Sequence, residues 1–64
     1  MKNYYWRFWF NYKEPDGRIF SHTSRVVADT VKNAREKANS RIVDMGYVLE
    51  NCRITEIVAY EEYK

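Results

Sequence analysis

The sequence is poor in the residues that staple a fold, ligate metals or cradle phosphates: it has one cysteine, one histidine, one proline and two glycines in 64 residues. A single thiol, Cys52, cannot close an intrachain disulfide, and a secreted domain of this length normally depends on several. The compartment this implies is reducing, so a cytoplasmic location is expected. One Cys and one His cannot complete a three- or four-ligand metal site, and the acidic residues show no ligand spacing. Both glycines stand where a turn and a helix end need them, which leaves none for a phosphate-binding loop. No apolar stretch approaches the ~20 residues that span a bilayer, so no membrane association is expected. The aromatic opening does not read as a secretion signal either, because Arg7, Asn11 and Lys13 interrupt it.

The chain is also short. A domain of this size buries only about 60% of the surface its unfolded chain exposes, which leaves room for one core and one domain, residues 1–64. With 45% hydrophobic residues and no low-complexity run, it reads as globular. The net charge of +2 permits contact with nucleic acid without demanding it.

From Tyr4 to Tyr12 the even positions are Tyr4, Trp6, Phe8, Phe10 and Tyr12, and the odd ones Tyr5, Arg7, Trp9 and Asn11. This alternation in β-favouring residues predicts a strand with its even face in the core. Glu14-Pro15-Asp16-Gly17-Arg18 then supplies Pro at the first turn position and Gly where positive φ is wanted, a three-residue hairpin loop closed by a glycine bulge. If Glu14 and Arg18 flank that loop, paired residue numbers sum to 32. Tyr12 then lies beside Phe20, Phe10 beside His22, Phe8 beside Ser24 and Trp6 beside Val26. On the other face Trp9 meets Thr23, Arg7 meets Arg25 and Tyr5 meets Val27. Two arginines facing each other repel, so they want an anion, a carboxylate from a third strand, or water.

Asp29 or Thr30 is placed to cap a helix. Its apolar stripe, Val31, Ala34, Ala38, Ile42 and Met45, is narrow, and the two alanines allow a close approach to a sheet. Gly46 is suited to the left-handed helix end, with Tyr47 folding back on Ile42. Lys32, Arg35, Lys37 and Arg41 form a basic run, but Glu36 and Asp44 are mixed into it. That pattern fits a solvated face, or less specifically a phosphate-contacting helix. Cys52 to Tyr60 reads as a third strand whose even face, Cys52, Ile54, Val58 and Tyr60, is the better core face. Glu56 spoils it, so either a bulge shifts the phase there or the carboxylate sits at an edge. The polar tail Glu61-Glu62-Tyr63-Lys64 is expected to fray.

A helix joining strands two and three makes them parallel to each other, so the economical arrangement places strand three beside strand one. The expected fold is α+β: a ββαβ chain with a three-stranded antiparallel sheet of order 2-1-3 and one helix on one face. The other face, with Tyr5, Arg7, Trp9, Thr23, Arg25 and Arg53 or Thr55, is left open. Exposed aromatics beside arginines are typical of protein contacts, and the same set could stack bases and grip phosphates. The plainer alternative is that Tyr5 and Trp9 only cover the sheet with help from the C-terminal tail.

Catalytic chemistry is not expected. His22 points toward the core beside Phe10, where a satisfied buried imidazole is the simpler reading than a partner for Cys52. Glu61 and Glu62 are adjacent on a tail and make no rigid acid–base pair. Neither a cofactor nor a small-molecule substrate is implied. The chain is therefore expected to be a non-enzymatic binding protein that uses the open face on a protein partner or on a second copy as a homodimer. A small DNA- or RNA-binding protein using that face is the alternative.

The opening YYWRFWFNYKEPDGRIFSHTSR followed by a helix resembles the arm-type DNA-binding domain of tyrosine recombinases, where an aromatic strand, a Gly-containing hairpin turn and a helix recur. Here a strand follows the helix, and the recombinase catalytic domain has no counterpart. In size and texture the chain also resembles the short accessory proteins of bacteriophages and integrative elements, a group that includes inhibitors of host defence. That resemblance implies an inhibitor of a host system and transfers no functional residue.

Overall fold

The computed structural model describes residues 1–64. Strands β1 (Asn3–Lys13) and β2 (Ile19–Ala28) are followed by helix α1 (Val31–Asp44), a 3-10 turn at Leu49–Asn51 and strand β3 (Cys52–Tyr63). The sheet order is β2-β1-β3 with both neighbouring pairs antiparallel, the α+β ββαβ arrangement expected.

The hairpin forms as its residues dictate. Gly17 has φ of +90°, its N–H donates to the Glu14 carbonyl at 2.9 Å, and the Glu14 N–H donates to the Arg18 carbonyl at 2.8 Å. This fixes the β1–β2 register at the sum of 32, from Tyr4↔Ala28 to Lys13↔Ile19.

Thr30 caps α1, its hydroxyl accepting the Asn33 N–H at 3.2 Å. Asn33 also donates from its side chain to Asp29 at 2.7 Å, which holds that carboxyl below its ordinary pKa. At the other end Gly46 has φ of +93°, and the N–H groups of Gly46 and Tyr47 donate to the carbonyls of Val43 and Ile42. Those bonds satisfy carbonyls that the helix itself leaves free. Ala34, Ala38 and Ile42 are buried, but Val31 and Met45 remain 48% and 38% exposed. The close approach set by the alanines is confined to the middle of the stripe.

The core is Phe8, Phe10, Ala38 and Ile42, ringed by Val26, Tyr47, Cys52, Ile54 and Ile57. The Phe8 and Phe10 rings stack with centroids 5.9 Å apart. The Trp6 indole N–H donates to the Ala28 carbonyl at 2.9 Å, so even this large side chain is tied to the helix-bearing side. The molecule is 43 Å long and 16 Å across, whereas fourteen helical residues span only about 21 Å. The helix therefore covers about half the length of the sheet.

Strand β3 departs from the expected phase. Paired numbers sum to 64 from Tyr12↔Cys52 to Phe10↔Ile54, to 65 from Trp9↔Glu56 to Trp6↔Ala59, and to 66 from Tyr5↔Glu61 to Asn3↔Tyr63. Thr55 and Tyr60 are thus the extra residues of two bulges, and each bulge exchanges the faces of the residues after it. The first bulge keeps the Glu56 carboxylate out of the core and brings Ile57 in opposite Phe8. It also overturns the placement of Val58 and Tyr60 in the core: both belong to the open face. Nor does the tail fray, because β3 continues to Tyr63 opposite Asn3, and Lys2 pairs with Glu62 at 3.6 Å.

Candidate functional site

Odd residues of β1 point away from α1, and no element of the chain covers that side. Three cross-strand rows make up its centre: Val27, Tyr5 and Glu61; Arg25, Arg7 and Val58; Thr23, Trp9 and Glu56. Tyr5 and Trp9 are half-buried, and Arg7, Thr23, Arg25 and Arg53 are exposed.

The facing arginines are reconciled by a residue that strand periodicity assigned elsewhere. The first bulge puts Tyr60 on this face and the second sets Glu61 next to it opposite Tyr5; the Arg7 guanidinium lies 5.4 Å from the Tyr60 ring centroid. Arg25 donates to the Tyr60 hydroxyl at 3.4 Å and lies 5.9 Å from the Tyr5 centroid. The hydrogen bond to the Tyr60 hydroxyl holds the pKa of Arg25 above its ordinary value. Each cation sits against the electron-rich face of a tyrosine, which offsets repulsion between them and restricts their rotamers. Tyr5 stacks on Tyr60 at 6.1 Å and meets the edge of Tyr63 at 5.3 Å. The one signal of this in the sequence was Glu56, whose charge made an unbroken even face untenable.

The structure thus brings Tyr5, Arg7 and Arg25 together with Tyr60 and Tyr63. Trp9 occupies the next row, and no aromatic ring stacks on it. The C-terminal residues therefore cover Tyr5 but leave Trp9 without such a cover. Thr23 is bound into the ladder through its hydroxyl, which donates to the Phe8 carbonyl at 3.1 Å. Arg53 is on the same face opposite Asn11, about 13 Å along the strand from Arg7, and stands apart from the arginine pair. The ion pairs of the molecule are Lys2–Glu62 and Arg18–Asp16. Arg7, Arg25, Glu56 and Glu61 consequently have no ion-pair partner.

The chemistry-bearing residues elsewhere are occupied. His22 stacks on Phe10 at 5.3 Å, and its Nε2 is hydrogen-bonded to the Tyr47 hydroxyl at 3.1 Å. Cys52 lies on the far side of β1 from His22, and burial pushes its thiol pKa up. A raised pKa means less thiolate at neutral pH. Cys52 should accordingly react with an aromatic disulfide reagent at least about tenfold more slowly in the native protein than in denaturant. Equal rates would place the thiol in solvent. No group of three or more His, Cys, Asp or Glu side chains is positioned to hold a metal ion, and no helix is long and apolar enough to cross a membrane.

No family model, curated protein or solved structure matches this chain.

Proposed function

We propose that this chain is a non-catalytic binding protein that lays the open face of its sheet on a protein surface and occludes what it covers. The observation that carries this reading is the patch of Arg7, Trp9, Arg25 and Tyr60 around the Tyr5 ring, over which no helix or loop passes. Tyr, Trp and Arg are the residue types that dominate binding energy at protein contacts. Here the guanidinium groups already rest on tyrosine rings, so less rotamer freedom is lost on docking. An inhibitor of a host system, as the resemblance to phage accessory proteins suggests, would need nothing more than such occlusion. Against the nucleic-acid alternative stand Glu56 and Glu61, which sit opposite the two rings that would have to stack on bases. A polyanion meets both carboxylates.

The double substitution Arg7→Ala with Trp9→Ala tests the reading. Affinity for a protein captured from cell extract, or for a second copy, should fall by a factor of about 100 or more, since two anchors of these types are worth roughly 2 kcal/mol each or more. The circular dichroism spectrum should stay folded. Retained affinity, or unfolding of the variant, would remove these residues from a contact surface. Binding to oligonucleotides that weakens steeply with salt would favour the nucleic-acid reading instead.

A further inference from the structure

Resting on the reading of the open face as a protein contact, we infer that its occupant is a second copy of this chain, in a two-fold dimer that sets Arg25 of each copy against Glu56 and Glu61 of the other. The central rows carry two guanidinium groups, Arg7 and Arg25, and two carboxylates, Glu56 and Glu61, and none is ion-paired within its own chain. A patch whose charges sum to zero has no preference for a polyanion or for a strongly acidic or basic partner. It can face itself, which is what a two-fold interface requires.

The charges are also laid out for it. Arg25 is on β2, the carboxylates are on β3, and β1 runs between them with Tyr5 and Trp9. A two-fold axis lying along β1 superposes β2 of one copy on β3 of the other. The basic side then meets the acidic side twice, and the aromatic rows meet near the axis in an aligned sheet-on-sheet sandwich. Arg7 approaches its own copy across the axis. The monomer already accepts that kind of encounter between Arg7 and Arg25, with both guanidinium groups laid against tyrosines.

The face leaves large apolar side chains in solvent: Val58, Tyr60 and Tyr63 are 39%, 43% and 47% exposed. Three strands at about 4.8 Å spacing and nine residues at about 3.3 Å give the face roughly 400 Å² in projection. Side-chain relief adds to that, which puts the contact at the low end of specific interfaces. Association should therefore be reversible and dependent on concentration.

Sedimentation velocity of the full chain over the micromolar to submillimolar range should show the mass rising from one copy to two. Arg25→Glu alone, and Glu56→Arg with Glu61→Arg, should each weaken dimerisation at least about tenfold, because like charges then meet on both sides of the axis. An equimolar mixture of the two variants should recover the dimer: the introduced charges oppose each other on one side, and the native ones on the other. Melting curves establish that each variant is folded; if Arg25→Glu unfolds, Arg25→Asp takes its place in both the weakening and the mixing test. A wild-type chain that is monomeric throughout overturns the dimer, while capture of a different protein sensitive to Arg7→Ala with Trp9→Ala would leave the broader reading standing. A dimer that neither variant weakens, or a mixture that stays monomeric, overturns the proposed contact.

Discussion

Phe8→Ala should leave the chain without a stable fold at 25 °C. Phe8 is fully buried at the centre of the core, stacked on Phe10 and opposite Ile57. Truncating a buried phenylalanine to alanine costs about 3 to 5 kcal/mol through lost transfer energy and the cavity left behind. A single small core of this kind supplies only roughly 3 to 5 kcal/mol in total. The two figures are comparable, so the folded population should collapse rather than shrink. Proton–nitrogen correlation spectra would show it as lost dispersion. Phe20→Ala is the control: it removes the same side chain from the same face of the sheet, but Phe20 is 41% exposed beyond the reach of the helix. That variant should stay folded, and a cooperative melt for Phe8→Ala close to wild type would refute a core centred on Phe8.

Replacing Ala34 and Ala38 together by leucine should lower the melting temperature by more than about 10 °C. Both alanines are fully buried where α1 meets the sheet, and Ala38 lies within the core cluster. Adding methylene and methyl groups to a filled site costs about 1 to 3 kcal/mol at each position. For a domain of this length each kcal/mol is worth about 4 to 8 °C. Leucine is nearly as good a helix former as alanine, so the loss would report on packing and not on propensity. An unchanged melting temperature would mean that the helix sits too far from the strands for alanine to be required.

What could be read from the sequence was whatever depended on local chemistry. Gly17 fixed the hairpin, and with it every β1–β2 pair. Thr30 and Gly46 bounded the helix, because each satisfies backbone groups its neighbours cannot. The third strand was harder. A period-2 pattern reports facing only while the ladder is regular, and a bulge exchanges the faces without leaving a residue type that marks it. Thr55 and Tyr60 are both good strand residues, so nothing in their identity announces an extra position. Period-2 alternation therefore puts Tyr60 in the core and conceals its place beside Arg7 and Arg25, although it does put Tyr5, Arg7, Trp9 and Arg25 together on the open face. Val31 and Met45 show a related gap: helical periodicity gives direction but not how far the opposing surface extends.

The pairing of Asn3 with Tyr63 has one more consequence. The two chain ends emerge side by side at the pole opposite the Pro15–Gly17 turn. A tether of a few residues could join them into a ring, and cutting that ring in the turn would give the same three strands in a new order of synthesis. A dye or carrier fused at either end would be held at that one pole.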